Sequence, residues 1–226
     1  MKKIKVLMML VLVALGVFAV CNVALAALIN PIPNFSDVTY DHPKYEPIYY
    51  LAGQGVINGY EDETFKPSNT INRAEFLKIV IEAAGYEPAG KDCFKDVKDE
   101  WFAPYICAAA EAGFVGGYKD GTFKPGQEVN FAEASKIVMN VLALEKAGSK
   151  DSGWYSSYVS SLEEIGAIPP TVSTFDAKLS RADMADMIWR IVTENIYQLS
   201  NSYENLSDGK IADGGLKSFS SCDGLK

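Results

Sequence analysis

Apolar residues recur at spacings of three and four positions in separate stretches of the chain, a pattern that predicts amphipathic helices. The three longest stripes are Phe76, Ile79, Val80 and Ala83; Ala134, Ile137, Val138, Val141 and Leu142; and Met184, Met187, Ile188, Ile191 and Val192. A shorter stripe precedes each, at Ile48, Leu51 and Ala52, at Ile106, Ala109 and Ala110, and at Val159 and Leu162. The sequence has no strand-like alternation of useful length. It therefore predicts an all-α protein of three helix-loop-helix units, whose stripes must be buried against one another.

The loop between the two helices of a unit is repeated along the chain. Residues 113–134 contain paired glycines, an Asp-Gly turn, a proline that delays the next helix, and Asn130 with Glu133 as a capping box. The same pattern occurs 58 positions earlier, with Asn72 and Glu75 at the cap, and more weakly 50 positions later, with Ser180 and Asp183. Gly116 and Gly117 are expected to end the preceding helix by adopting positive φ.

The repeats follow a stretch that resembles a targeting segment. Three lysines (Lys2, Lys3 and Lys5) precede an apolar run over residues 6–20 and an A-x-A cleavage site at residues 24–26. We predict a signal peptide over residues 1–26; an uncleaved anchor is the alternative, although the apolar run is short for a membrane span. The three repeats are assigned to residues 34–88, 91–148 and 149–198, and a flexible polar tail to residues 199–226.

Charge narrows the classes of partner. Of the 21 basic side chains, three lysines lie in the predicted signal peptide, so 18 remain against 29 acidic ones. This excess of negative charge disfavours nucleic acid or an anionic membrane as the main partner, and no membrane insertion is expected after signal cleavage. The single histidine, His42, has no sequence partner that suggests a metal site or a catalytic triad. No cofactor is expected.

Three cysteines follow the predicted signal peptide. Cys93 and Cys107 flank the start of the first helix of the second repeat, and an exported protein permits a disulfide between them. Two buried free thiols are the alternative. Cys222 lies in the polar tail and has no evident partner.

The segments FKDV…W, GYKDGTFKP and INRAEF together resemble the S-layer homology (SLH) domain, present as three tandem copies of which the third is degenerate. The resemblance extends from Phe35 to about Gln198. It implies a pseudo-threefold helical bundle. It also implies non-covalent anchoring of a secreted protein at the cell wall or S-layer, through a secondary cell-wall polysaccharide that often bears pyruvylated sugars.

Arg73 and Arg181 are the strongest candidates for ligand binding. Each occupies the first helical position, where backbone N–H donors and the helix dipole favour an anion, and a guanidinium can hold a carboxylate through two bonds. With the residues that the resemblance adds, the predicted ligand-binding set is Arg73, Arg181, Gly59, Tyr60, Asp62, Gly117, Tyr118, Asp120, Trp101 and Trp154. The alternatives are a solvated surface charge for the arginines and core packing for the tyrosines and tryptophans. Phe131 stands where the second repeat should have an arginine, so that site is expected to be lost or altered.

Three classes of function follow from these features. The favoured one is a module that binds wall polysaccharide. The second is a structural subunit that self-associates, through Cys222 or the tail. A wall hydrolase targeted by the repeats is disfavoured, because no carboxylate pair is marked as an acid/base couple and the repeats leave no room for a catalytic domain. The chain is therefore not expected to be an enzyme.

Overall fold

A computed structural model of the 226-residue chain describes residues 33–194 and 199–209. Over these residues it has six α-helices and one short 3₁₀-helix. They are α1 (Tyr45–Gly53), α2 (Arg73–Ala83), α3 (Ala103–Glu111), α4 (Phe131–Val141), α5 (Ser156–Glu164), α6 (Arg181–Thr193) and the 3₁₀-helix Tyr203–Asn205. In this part of the chain, β-pairing is limited to isolated bridges, so the all-α prediction is confirmed. The predicted signal peptide and Cys222 lie outside the described residues.

The main helix pairs lie between neighbouring units rather than within a unit. We call α1 with α2 the first unit, α3 with α4 the second, and α5 with α6 the third. Helix α2 packs on α3, α4 packs on α5, and α6 packs on α1, while α2 also contacts α4 and α6. The contacts therefore join the third unit back to the first. The pseudo-threefold symmetry of the whole bundle stays a prediction. None of the helices within the described ranges is long and apolar enough to cross a membrane.

Three buried residues at the starts of the long helices are hydrogen-bonded in a ring. The backbone N–H of Ile71 donates to the carbonyl oxygen of Leu179 (3.0 Å), that of Leu179 to Val129 (3.1 Å), and that of Val129 to Ile71 (3.1 Å). All three side chains are fully buried. Because a buried backbone donor is costly without a partner, this ring fixes where α2, α4 and α6 begin relative to one another.

Side-chain caps begin the three long helices, as the sequence predicts. The side chains of Asn72, Asn130 and Ser180 each accept a hydrogen bond from the backbone N–H three residues later, at Glu75, Glu133 and Asp183. Only the cap of α4 is a reciprocal capping box, in which the side chain of Glu133 also accepts from the N–H of Asn130. A cap of this kind is typically worth about 1 kcal/mol.

The glycine prediction needs a correction. Gly116 and Gly117 do not end α3 by positive φ; the residue with positive φ after this helix is Gly113, at 73°. Gly55 and Gly166 play the same part after α1 and α5, with φ of 73° and 63°. Helix α3 therefore ends at Glu111, five residues before the paired glycines, and Gly113 follows its C-cap residue Ala112.

The first part of the predicted flexible tail, residues 199–209, packs on the third unit. Tyr203 and Leu206 are buried, and the ring of Tyr203 lies 5.0 Å from that of Phe175 in the third unit. The backbone N–H of Phe175 donates to the carbonyl of Ser207 at 3.2 Å. A single aromatic residue and a single leucine create no helical period, which is why the sequence pattern missed this segment. The rest of the predicted tail, residues 210–226, lies outside the described residues.

The structure contains the disulfide between Cys93 and Cys107, whose Cα atoms are 5.4 Å apart. The bond joins the connector that follows α2 to the body of α3. It closes a loop between residues separated by 14 positions. Such a cross-link restricts the unfolded chain and so favours the folded state.

Replacing both cysteines by alanine is expected to destabilise the protein by about 3 kcal/mol, the loop-closure value for a loop of about 15 residues. For a protein of this size, that corresponds to a fall in unfolding temperature of roughly 6–12 °C. Thermal unfolding followed by circular dichroism measures the change. Cys222→Ala is the control, and a double variant that melts with the wild type would show that the bond adds no stability.

Candidate functional site

Arg73 crosses from the first unit into the second. Its Nε donates to the carbonyl oxygen of Phe123 at 3.1 Å, and its guanidinium carbon lies 5.2 Å from the ring centroid of Tyr118 and 4.6 Å from that of Phe123. The residue is only 1% exposed. It is therefore not a solvated surface charge, and its contacts also hold the two units together.

Arg181 makes the equivalent contacts between the third unit and the first. Its Nε donates to the carbonyl of Phe65 at 2.8 Å, and Nη2 donates to the carbonyl of Asn58 at 3.0 Å. Its guanidinium carbon lies 4.9 Å from the ring centroid of Tyr60. Each arginine thus binds the loop of a neighbouring unit rather than the loop of its own unit: Arg73 binds the loop of the second unit, and Arg181 binds that of the first.

Phe131 holds the corresponding position at the start of α4. Its side chain is fully buried, and its backbone N–H donates to the carbonyl of Ala177 in the third unit at 2.9 Å. The backbone N–H groups of Arg73 and Arg181 also donate to a carbonyl of a neighbouring unit, so Phe131 keeps this hydrogen bond while a buried ring replaces the guanidinium. This position offers no charge to an anion.

One nitrogen of Arg73 is left without a hydrogen bond. Its Nη1 is buried and has no hydrogen-bond partner; it forms an ion pair with Oε1 of Glu133 at 3.6 Å, a distance too long for a hydrogen bond. That carboxylate oxygen already accepts from the hydroxyl of Tyr118 at 2.9 Å. Burial, opposed by Arg73 and reinforced by Glu133, raises the pKa of Tyr118 to about 12, so its hydroxyl remains a donor. Arg73 therefore keeps one buried N–H donor for a further acceptor.

Lys136 lies beside this donor and was missed by sequence reasoning. Lys136 and Arg73 line the same narrow pocket, of about 10 Å³, with Glu133 and residues 114–116. Burial, then the charges of Lys146 and Arg73, lower the pKa of Lys136 below the ordinary lysine value. No carboxylate in the described ranges forms an ion pair with it. The pocket has room for about one water-sized group, such as an oxygen of a ligand.

The equivalent positions in the other units carry different charges. Lys78, 58 positions before Lys136, is paired with Glu82 at 2.5 Å. Asp186 stands 50 positions after Lys136 and brings a negative charge instead. The repeated triplets Lys78-Ile79-Val80 and Lys136-Ile137-Val138 are the sequence signal that could have directed attention to these lysines. Only the pocket between the first and second units combines an arginine with a lysine that has no anionic partner among the described residues. We call Arg73, Lys136, Tyr118 and Glu133 the Arg73 site.

The predicted ligand residues of the glycine-tyrosine loops have structural roles. A Cβ on Gly59 or Gly117 would lie 2.5 or 2.6 Å from a ring carbon of Phe35 or Phe94, so both positions need glycine for space. The carboxylates of Asp62 and Asp120 accept the backbone N–H two residues later, at 3.2 and 3.0 Å, and these turns lower the pKa of both groups, mainly through the neighbouring threonine hydroxyls. A direct contact of these four residues with a ligand stays a prediction.

The aromatic candidates occupy different environments. The Tyr118 ring lies 5.2 Å from the guanidinium carbon of Arg73, and the Tyr60 ring lies 4.9 Å from that of Arg181. Trp154 is half-buried, with Lys136 Nζ 5.7 Å from its ring centroid, and its Nε1 is buried without a hydrogen-bond partner. Trp101 is 56% exposed and packs edge-on against Phe102, so core packing does not explain it. The structure therefore brings Trp154 to the edge of the Arg73 site. Across residues 33–194 and 199–209, no group of histidine, cysteine, aspartate and glutamate side chains could hold a metal ion.

Two segments of the chain match the family model of the S-layer homology domain, residues 34–77 and 94–135. These segments contain the opening turns, the loops and the starts of α2 and α4. Arg73 and Tyr118 lie within them, and Lys136 follows the second directly. Most of the first and second units is therefore similar to the S-layer homology domain.

Known proteins with similar sequences are cell-wall and cell-surface proteins. The chain is 31% identical over 144 residues to the middle cell wall protein of Brevibacillus brevis, covering 61% of this chain and 13% of that protein. It is 26% identical over 219 residues to a cell surface protein of Thermoanaerobacter kivui, covering 94% and 28%. It is 32% identical over 115 residues to a cellulosome-anchoring protein of Acetivibrio thermocellus, covering 48% and 26%. The chain thus spans less than a third of each of these relatives.

Proposed function

We propose that this chain anchors protein non-covalently to the cell envelope by binding an anionic cell-wall polysaccharide at the Arg73 site. The observation that carries the proposal is a buried Arg73 donor without a hydrogen-bond partner, beside a lysine that no described carboxylate pairs. The names of the relatives, which include cell-wall, surface-layer and anchoring proteins, support a location at the cell surface. The chain acts as a binding module and not as an enzyme.

The dimensions of the pocket define the part of the ligand that enters it. A cavity of about 10 Å³ accepts a carboxylate oxygen but not a sugar ring. The carboxylate of a pyruvate ketal projects from its sugar, so it can reach Arg73 Nη1 while the ring remains outside. The half-buried ring of Trp154 then offers an apolar surface to that sugar, and its Nε1 offers a donor. A pyruvylated secondary cell-wall polymer is the ligand that we assign.

The third unit is a degenerate copy of the same repeat and supplies a weaker site. The backbone N–H of Arg181 donates to the carbonyl of Asn69 at 2.8 Å, as that of Arg73 donates to Gln127 at 2.9 Å. Arg181, however, already donates from two of its nitrogens to backbone carbonyls, and Lys78, the equivalent of Lys136, is paired with Glu82. Anion binding should therefore be stronger at the Arg73 site.

Lys136→Met is expected to weaken binding to the anionic wall polymer about tenfold, because one charge-assisted contact is worth roughly 1.5–3 kcal/mol. Lys78→Met is the matched control, since that lysine occupies the equivalent position but is engaged with Glu82. Sedimentation with purified wall sacculi, before and after chemical removal of the non-peptidoglycan polymer, measures the binding. If the two variants bind alike, the Arg73 site is not where the polymer binds.

The pH dependence provides a second readout for the same lysine. The pKa of Lys136 is lowered, so its charge is lost at a lower pH than that of an ordinary lysine, and binding should fall as the pH rises through that value. Lys136→Arg should keep its charge and move the decline to higher pH. A shared profile for the wild type and this variant would contradict the assignment.

Self-association through Cys222 remains the alternative from the sequence, and sedimentation velocity with and without reductant tests it.

A further inference from the structure

A second pocket lies away from the Arg73 site, on the first unit. It has a volume of about 690 Å³ and is formed by residues 40–50, with Tyr40, Tyr45, Tyr49 and Tyr50 among its lining. This volume falls within the range of small-molecule sites, about 300–1,000 Å³. We call it the tyrosine pocket.

The tyrosine rings form a continuous surface that is fixed to the core. The rings of Tyr45 and Tyr49 are stacked with centroids 4.3 Å apart, and Tyr40 packs edge-on against Tyr45 at 5.3 Å. The hydroxyl of Tyr49 accepts the backbone N–H of Phe35 at 3.0 Å, and the Tyr49 ring packs against that of Phe35 at 5.5 Å. The pocket wall is thus preorganised, which reduces the entropy lost when a ligand binds.

The polar groups of the tyrosine pocket are mostly uncharged donors. The hydroxyls of Tyr40, Tyr45 and Tyr50 make no hydrogen bond to other residues of the described chain. His42 Nδ1 accepts from the backbone N–H of Lys44 at 3.1 Å, so the neutral imidazole carries its proton on Nε2. The Lys44 ammonium is bound to Asp186 and adds no free positive charge. The described residues of the lining include no lysine or arginine side chain to hold an anionic ligand.

The other two units have no tyrosine at the equivalent helix positions. The residues there are Ala103, Cys107 and Ala108 in the second unit and Ser156, Ser160 and Ser161 in the third, in place of Tyr45, Tyr49 and Tyr50. Tyr40 is 86% exposed and Tyr50 is 40% exposed, so neither stabilises the core strongly. The aromatic cluster is therefore particular to the first unit and separate from the repeated arginine positions.

We propose that the tyrosine pocket binds a neutral saccharide, in addition to the anionic polymer at the Arg73 site. Sugar rings present apolar C–H faces that fit against aromatic rings, while their hydroxyls pair with the tyrosine hydroxyls and with His42 Nε2. Among the described residues that line the pocket there is no lysine or arginine, which separates this ligand class from the anionic one. The chain would then contact two components of a glycan-rich surface at once, which raises its overall avidity.

Chitohexaose, an uncharged N-acetylglucosamine oligomer, is the probe for this site, measured by isothermal titration calorimetry. The double variant Tyr40→Ala/Tyr50→Ala removes two exposed rings and should retain the fold, as circular dichroism checks. We expect it to lose about tenfold or more in chitohexaose affinity, as for other aromatic anchors of a binding site. Lys136→Met should bind chitohexaose like the wild type, and added salt should have little effect because no charge pair is involved.

The two sites can fail separately. The tyrosine variant should retain binding to the anionic wall polymer, whereas Lys136→Met should lose it. The proposal is overturned if the wild type does not bind chitohexaose, or if the tyrosine variant binds it unchanged. It is also overturned if the variant instead abolishes a concentration-dependent dimer in sedimentation velocity, since the pocket would then be a contact between copies of the chain.

Discussion

Deleting residues 199–226 is expected to lower the unfolding temperature far more than deleting residues 210–226 alone. The reason lies in how the loop of each unit is held. In the first unit, the carboxylate of Asp37 accepts the backbone N–H groups of Phe65 at 2.7 Å and Lys66 at 2.8 Å, and the ring of Phe35 lies 5.3 Å from that of Phe65. A segment that precedes the first helix thus anchors the loop that follows it.

The second unit repeats this arrangement with its own opening segment. The carboxylate of Asp96 accepts the backbone N–H groups of Phe123 and Lys124, both at 2.8 Å, and the rings of Phe94 and Phe123 are 5.5 Å apart. In both units, therefore, an aromatic ring and an acceptor for the backbone N–H groups of the loop are supplied from outside the loop. This pair of contacts is what a third unit should also need.

The third unit obtains these contacts from residues 199–209. The backbone N–H of Phe175 donates to the carbonyl of Ser207, and the ring of Tyr203 stands 5.0 Å from Phe175. The hydroxyl of Tyr203 is further bonded to the carboxylate of Asp151 and, at 3.1 Å, to Ser156 Oγ at the start of α5. A segment from the end of the described chain thus replaces the opening motif that this unit lacks.

Tyr203→Ala isolates the main contribution of the segment and should cost about 3 kcal/mol, near the lower end of aromatic-to-alanine changes in protein interiors. Tyr203→Phe keeps the ring, loses the bonds to Asp151 and Ser156, and should cost less. Chemical denaturation measures both. If the chain that lacks 199–226 melts with the chain that lacks only 210–226, the segment does not support the third unit.

The helices and their caps could be predicted because they depend on local patterns. Apolar spacing located α2, α4 and α6, and the caps at Asn72, Asn130 and Ser180 follow from residue type and position alone. The repeat also drew attention to Arg73 and Arg181. Each of these features is present in a short window of sequence, so no knowledge of long-range contacts is needed.

The rest of the site depends on which unit lies beside which. Sequence identity between repeats does not show that Arg73 binds the loop of the second unit, or that Arg181 binds that of the first. Lys78 and Lys136 occupy equivalent positions, and the local ion pair of Lys78 with Glu82, where Lys136 has Asn140, gains meaning only once an arginine of another unit is placed beside one of them. Tyr203 acts through a contact with Phe175, 28 positions earlier, and a lone tyrosine in a polar segment gives no periodic signal.

The second large effect is expected at Asp186, a carboxylate with no solvent exposure in α6. It binds the ammonium of Lys44, which directly precedes α1, and its Oδ1 accepts from Arg190 Nε at 2.9 Å. Arg190 also donates to the carbonyls of Gly166 at 3.2 Å and Leu199 at 2.9 Å. Asp186 thus links the third unit to the first and, through Arg190, to the start of residues 199–209.

Asp186→Ala should destabilise the protein by about 3–5 kcal/mol, because it leaves the buried Arg190 and the largely buried Lys44 without their shared carboxylate. The exposed pair of Lys91 and Asp99, at 3.8 Å, provides the control: Asp99→Ala should cost about 0–1 kcal/mol. The double variant Asp186→Leu/Lys44→Met should be more stable than Asp186→Leu alone, since it also removes the Lys44 charge. Denaturant unfolding of the four variants measures these differences.

Asp186→Ala also tests whether binding of the polymer requires the contacts between the third and first units. Arg181 bridges the third and first units, as Asp186 does, whereas the Arg73 site lies between the first and second units. If Asp186→Ala remains folded at low temperature, it should therefore weaken contacts around Arg181 while the Lys136-dependent binding to wall sacculi persists. A destabilisation no larger than that of Asp99→Ala would mean that the buried network does not hold the ring closed. Loss of all wall binding in a folded variant would instead mean that the Arg73 site depends on a closed ring.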